Sequence, residues 1–194
     1  MRKVYLFLIQ ALMALGLVFA IGCSKDDGKE NETPSGSLKV GQSYQGGIIA
    51  YIDETGKHGL IAAPEDQSPG IQWYEYGPIS DAGVTTGATG TMVGTGKSNT
   101  EKIVQTQGQG NYAAKLCDDL VLKGYSDWYL PSINELDILY RNRNAIGMFY
   151  ASYYWSSSEY SYYQAWSQNF SDGKQNYYNS YKITANRVRA IRAF

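Results

Sequence analysis

Apolar, β-branched runs lie at both ends of the stretch from Val40 to Phe194, and the patterning between them is helical. Gly47 to Ile52 and Gly59 to Ala63 flank Asp53-Glu54-Thr55-Gly56-Lys57, the signature of a hairpin with a glycine-bearing turn. Ile71 to Tyr76 alternates Trp73 and Glu75 against Gln72, Tyr74 and Tyr76 and predicts a third strand. Gly77 to Gly96 is rich in glycine and threonine without a period and reads as a long loop. Helical signals follow. Asn99 is placed to cap a short helix through Thr106. Asn111 is placed to cap a longer one from Tyr112 to Lys123, with Ala113, Leu116, Leu120 and Val121 near one face and Gly124 as the stop. Ser132-Ile133-Asn134-Glu135 is a capping box, worth about 1 kcal/mol, ahead of a helix with Ile133, Leu136, Leu139 and Tyr140 on one side. After Asn144 short strands return: Tyr153 to Ser157, Ala165 to Phe170, Gln175 to Tyr178, and Arg187 to Phe194. Strands before and after helices predict one α+β domain, 40–194, with short antiparallel strands and two to three helices, whose sheet draws on both ends of the sequence.

The N-terminus is of a different kind. Arg2 and Lys3 precede an almost unbroken apolar run from Val4 to Phe19, and small residues Ala20 and Gly22 lead to Cys23, which reads as a secretory signal over residues 1–22. Ala20-Ile21-Gly22-Cys23 resembles a bacterial lipobox, which implies lipidation of Cys23 and membrane attachment, each buried acyl methylene adding about 0.8 kcal/mol. Residues 23–39 are polar, carry Asp26, Asp27, Glu30, Glu32, Pro34 and Gly36, and read as a flexible tether spanning about 20 Å. Ser24-Lys25-Asp26-Asp27 resembles the acidic export signal of outer-membrane lipoproteins, which implies display on the cell surface.

Charge and cysteine usage narrow the partners. Removing Arg2 and Lys3 from the 17 basic residues leaves 15 against 18 acidic ones, a formal charge of −3 that gathers no nucleic acid. Of the two cysteines, Cys23 is the expected lipid site, so Cys117 has no partner and reads as a small buried residue on a helix.

Half of the 18 tyrosines fall between Tyr150 and Tyr181, interleaved with serine and asparagine. Tyrosine offers a large, rigid amphipathic ring at modest entropic cost, and serine and asparagine offer adaptable hydrogen bonds, the mixture used by antibody binding loops. Successive strand residues point to opposite faces, so Tyr162 and Tyr163, or Tyr177 and Tyr178, cannot all be core. The candidate contact residues are Tyr160, Ser161, Tyr162, Tyr163, Ser167, Gln168, Asn176, Tyr177, Tyr178, Asn179 and Tyr181.

A family pattern divides this stretch. Trp128-Tyr129-Leu130-Pro131-Ser132 with Glu135-Leu136 resembles the WRLPTxxEL core of a domain-of-unknown-function family typified by the C-terminal domain of a collagen-like bacterial adhesin. Tyr154-Trp155-Ser156-Ser157, Ala165-Trp166, Asn169-Phe170-Ser171-Asp172-Gly173 and Arg187-Val188-Arg189-Ala190-Ile191-Arg192 continue the likeness in order. The resemblance implies a C-type-lectin-like fold, akin to the Fibrobacter major paralogous domain, and adhesion, including binding of sulfated glycans. The segment Tyr160 to Asn186 also resembles the targets of diversity-generating retroelements. On that likeness Trp155, Trp166, Phe170, Gly173, Arg187 and Arg189 are a frame, with both tryptophans in the core, and the residues between them choose a ligand.

The expectation is therefore a surface lipoprotein that binds a glycan or protein ligand and has no catalytic residue, cofactor or metal. Alternatives are an enzyme acting on cell-surface glycans and a structural, fimbria-associated subunit. Gly94-Thr95-Gly96-Lys97-Ser98 mimics the end of a phosphate-binding loop, but Thr91 stands where the signature needs glycine. His58 falls in a turn. Asp118 and Asp119 are adjacent and point to different sides of a helix, and the pair Asp127 and Glu135 reads as no stronger an acid pair. The lectin calcium motif is absent from the sequence. Arg187, Arg189 and Arg192 could meet sulfate or carboxylate groups; pairing with Asp127, Glu135 or Asp172, or stacking on rings, is the structural reading set beside it.

Overall fold

A computed structural model describes residues 37–75 and 83–194. The signal segment, Cys23 and the tether up to Gly36 lie outside the described residues, as do Tyr76 and the stretch 77–82. The fold is α+β, with two small sheets and four short helices among the described residues.

The first sheet has the order β1-β2-β3-β9, built from β1 (Ser43–Tyr44), β2 (Gly47–Ile52), β3 (Gly59–Ala62) and β9 (Ile191–Ala193). The expected hairpin is β2–β3. Gly56 takes a φ of 71° in its turn, and Asp53 accepts from Thr55 Oγ1 at 2.7 Å. That bond holds the Asp53 carboxyl below the usual carboxylate range. β9 adds to β3 with Leu60 opposite Ala193 and Ala62 opposite Ile191, so one sheet is assembled from both ends of the domain.

The second sheet has the order β4-β8-β5-β6-β7 and comprises β4 (Ser68–Ile71), β5 (Tyr153–Glu159), β6 (Ala165–Asn169), β7 (Gln175–Asn176) and β8 (Asn186–Val188). β5 is central and buried from Tyr154 to Glu159. Its pairing with β8 is parallel, so the sheet is mixed rather than wholly antiparallel. The third strand precedes its expected place at 71–76. Pairing ends at Ile71, and the chain then turns inward to place Trp73 at 0% exposure. Trp73 Nε1 donates to Ser156 O and Trp155 Nε1 donates to Ile71 O, each at 2.8 Å. Each indole thus satisfies its polar edge on the other's segment while its rings fill the core, worth roughly 2–3 kcal/mol apiece.

The stretch expected as one strand from Arg187 to Phe194 is divided. β8 belongs to one sheet and β9 to the other, with Arg189 and Ala190 crossing between them. Ala63 N donates to Ala190 O at 2.9 Å at that crossing.

The helices are α1 (Gly96–Gln107), α2 (Ala113–Asp118), α3 (Ile133–Arg141) and α4 (Arg143–Ile146). α1 starts three residues before the expected cap. Asn99 instead lies inside it and bonds both polar groups of Gly90, Nδ2 to O at 2.6 Å and Oδ1 from N at 3.1 Å. α2 ends far short of Lys123. Lys123 (φ 52°) and Gly124 (φ 82°) form the two-residue turn of a tight hairpin, closed by Leu122 N to Tyr125 O at 2.9 Å and the return bond at 3.0 Å. Gly124 is therefore a turn residue and not a helix stop, and Val121 is 70% exposed rather than on a buried face. Cys117 is buried on α2, where desolvation pushes its thiol up and makes it inert.

The capping box of α3 forms as expected. Ser132 Oγ accepts from Glu135 N at 3.3 Å, and Glu135 accepts from Ser132 N at 2.7 Å. Glu135 also reaches the segment that leads into α1, where its other carboxylate oxygen accepts from Gly94 N at 2.8 Å. The loop that mimics a phosphate cradle is filled by the chain's own carboxylate. α4 was not expected from the sequence.

Candidate functional site

The tyrosine-rich stretch is a connection between β5 and β8 that folds back on itself as β6 and β7. β6 pairs with β5 through Tyr154 opposite Gln168 and Trp155 opposite Ser167, and with β7 through Ser167 opposite Asn176. Interior groups fix its backbone. Ser167 Oγ and Ser180 Oγ lie 2.5 Å apart, Ser180 Oγ donates to Asn176 O at 3.2 Å, and Ala165 N donates to Ser180 O at 3.1 Å. Gln164 Nε2 donates to Tyr178 O at 2.9 Å and its Oε1 accepts from Ser161 Oγ at 2.7 Å, so one amide ties two loops. Sequence reasoning missed Gln164; its place between two tyrosine pairs was the only signal.

Tyr160, Tyr163 and Tyr181 are each 49% exposed, Tyr162 is 39% and Tyr178 73%. Tyr177 is half-buried and forms a cluster with Tyr160, centroids 4.2 Å apart, and with Trp166 at 4.6 Å. Tyr160 meets Trp166 edge-on at 5.9 Å, and Tyr162 meets Tyr163 edge-on at 4.8 Å. These geometries suit ring quadrupoles, so Tyr160, Tyr162 and Tyr163 are braced by neighbouring rings. Asn179 is exposed, and Ser161 and Asn176 are half-buried at the same loops.

Two candidates are corrected. Ser167 and Gln168 are fully buried. Both sit in β6, with Ser167 on Ser180, and Gln168 Nε2 donating to Asp137 Oδ1 at 2.7 Å and Gly173 O at 3.0 Å. They hold the scaffold and offer no atom to a ligand. Of the two tryptophans expected in the core, Trp155 is fully buried, whereas Trp166 is half-buried and belongs to the aromatic cluster.

Beneath the rings lies a buried ion pair. Lys182 Nζ donates to Glu159 Oε1 at 2.6 Å, with the two side chains 0% and 4% exposed. Lys182 also donates to Val84 O at 2.5 Å and Tyr162 O at 3.2 Å, and it sits 4.7 Å above the Trp73 ring. Glu159 accepts from Thr86 N and Gly87 N, each at 2.9 Å. Burial lowers the Lys182 ammonium from its ordinary range, against the pull of Glu159. The pair stitches the described part of the long loop, from Gly83, to the tyrosine turn. Val84 N donates to Tyr162 O at 2.9 Å, and a Cβ added at Gly83 would collide with the Tyr162 ring.

The terminal arginines are consumed internally. Arg187 Nη1 lies 3.0 Å and Arg189 Nε 2.8 Å from Asp66, and Arg192 holds Asp127 with two bonds of 2.7 and 2.9 Å. Arg189, at 0% exposure, also donates to Ala63 O and Met148 O. Their planes stack on rings, Arg187 on Tyr150 at 3.9 Å, Arg189 on Phe149 at 4.1 Å and Arg192 on Tyr125 at 4.0 Å. Asp127 is one of the expected partners; Asp66 was not foreseen. His58 is exposed in its turn, beside a cleft of about 350 Å³ that Tyr51, Leu60, Lys97, Tyr129 and Phe194 line. A larger cleft of about 610 Å³ runs between Pro64 to Gln67 and Leu116 to Lys123. None of the candidate tyrosines lines either.

No curated protein matches the chain. A family model does, over residues 64–192, a span that takes in Asp66, the WRLPTxxEL-like core, the aromatic cluster and all three terminal arginines. The chain belongs to the family of the Lcl C-terminal domain.

Proposed function

We propose that this domain is a recognition module, carried at a cell surface by a lipid on Cys23, which binds a glycan or protein ligand through the face made by Tyr160 to Tyr163, Tyr177 to Asn179 and Tyr181. The observation that supports it most is the contrast within one segment. The side chains that fix its backbone, Ser167, Gln168, Ser180 and Lys182, are buried, while five tyrosines stand 39% to 73% exposed. Exposed aromatic area of that extent marks interaction sites, and rings braced in advance lose little entropy when a ligand arrives.

The reading includes the finer expectation of programmed variation. Its support is that the exposed positions can change without disturbing the buried ones, since the side-chain bonds that fix the loop run through Ser161, Gln164, Ser167 and Ser180 rather than through the rings of Tyr163, Tyr178 or Tyr181. A genome lacking both a neighbouring reverse transcriptase and an adenine-rich copy of this segment would remove that part. For the anchor, a mature mass that retains Met1 would exclude lipidation at Cys23, and surface display requires that protease treatment of intact cells cleave the protein. The face itself is tested on glycan and protein arrays with the full chain beside Tyr163→Ala/Tyr178→Ala/Tyr181→Ala. The triple variant is expected to lose at least about tenfold in affinity, roughly 1.4 kcal/mol. Equal binding by both proteins would refute the assignment.

A further inference from the structure

We infer that the ligand of this face is an uncharged carbohydrate chain, an inference that rests on the recognition role proposed above. Charge accounting carries it. Between Tyr160 and Tyr181 the only charged residues are Asp172 and Lys174, and these pair with each other at 3.1 Å. The next cation, Lys182, is fully buried against Glu159. Asp137, the carboxylate that reaches this sheet through Gln168, is held by Arg141 at 2.6 Å. The arginines that could have taken a sulfate or carboxylate are spent on Asp66 and Asp127, with Arg189 and Arg192 buried. Among the described residues, a polyanion laid on this face would meet only cations that already hold a carboxylate, Lys174 on Asp172 and Arg141 on Asp137, in return for its hydration.

What the face does present is complementary to sugar rings. A pyranose carries C–H bonds on its flat sides and hydroxyls round its edge. The braced rings of Tyr160 and Tyr163, with the exposed rings of Tyr178 and Tyr181, offer surfaces for the first. The phenol hydroxyls and the Asn176 and Asn179 amides offer neutral donors and acceptors for the second. A protein partner would bring the charged rim that ordinary interfaces have, and among the described residues between Tyr160 and Tyr181 only the mutually paired Asp172 and Lys174 could meet it. Binding to a neutral chain gains no electrostatic steering, so tight attachment relies on many copies engaging one polymer.

The test uses the full chain in detergent micelles on columns of dextran, mannan, a β-glucan and dextran sulfate, with a panel of surface proteins as a parallel arm. Retention by at least one neutral polymer is expected, changing less than about twofold between roughly 50 and 500 mM salt. The same retention should fall at least about tenfold in the triple tyrosine variant. Tyrosine-dependent binding that prefers dextran sulfate and collapses with salt overturns the inference while sparing the face. So does tyrosine-dependent binding to proteins alone, or retention on none of the neutral polymers. Neutral-polymer binding that the triple variant keeps in full overturns the face itself, and the inference with it.

Discussion

The arginine-bearing end of the chain and the tyrosine-bearing loop before it treat polar side chains in opposite ways. Arg187, Arg189 and Arg192 are drawn inward onto carboxylates and rings, so their charge stabilises the junction of the two sheets and is unavailable outside. The tyrosines, which could have been buried with their hydroxyls wet, are turned outward instead. The lesson is that residue type alone does not say which group meets a ligand. Arginine is a strong donor to sulfate and carboxylate, but only where no internal carboxylate has already engaged it.

The comparison can be broken at its strongest point first. Arg189→Met keeps most of the side chain's volume but strips Asp66 of its buried partner and leaves Ala63 O and Met148 O short of a donor. A loss of about 2–4 kcal/mol in urea unfolding is expected, because Asp66 keeps only Arg187 and the Tyr154 hydroxyl and two buried carbonyls lose their donor. Gly83→Ala probes the seam between the halves. The added methyl meets the Tyr162 ring, so about 1–2 kcal/mol of stability should go and the Tyr162–Tyr163 pair should shift, seen as weakened ligand binding in a protein that still folds.

Asp127→Asn tests the exposed end of the arginine network. The Arg192 guanidinium holds the Asp127 carboxyl below its ordinary range, so its contribution is present above the unfolded-state value and is lost as pH falls through the folded one. Because this carboxylate is 44% exposed, solvent screens it, and the expected cost near neutral pH is only about 0.5–1 kcal/mol. Urea titrations of parent and variant should converge as the medium is taken below the carboxylate range. The smallest effect belongs to the face: Tyr178→Ala should change stability by less than about 0.5 kcal/mol while weakening ligand binding, a split that no frame residue should show.

Local chemistry carried the legible part of the fold. The β2–β3 hairpin follows from its turn residues, the α3 start from Ser132 and Glu135, and β5 and β6 from their β-rich runs. What sequence patterning got wrong depended on distant or conditional partners. The apolar period through Leu120 and Val121 suggested that α2 continues, but Lys123-Gly124 favours a tight reversal that closes on Leu122 and Tyr125. Asn99 has a good capping side chain, and tertiary contact with Gly90 uses it otherwise. The single terminal strand failed because Asp66, more than 120 residues away, turns Arg189 into the chain between sheets. Within the candidate site, alternation correctly placed rings outside. It could not say that Ser167 and Gln168, on opposite faces of β6, are both covered, Ser167 by Ser180 and Gln168 by Asp137 of α3.

The placement of β8 and β9 also governs the order in which the molecule can be completed. β8 is the strand that joins β4 to β5, and β9 closes onto β3, so both sheets wait for residues 186–193. Contacts of such long sequence separation are slow to form compared with local ones. A chain emerging from the ribosome therefore carries its tyrosine loop past the exit before either sheet can close. On the proposed recognition role, a copy that lacks residues 186–193 is expected to present no ordered tyrosine face.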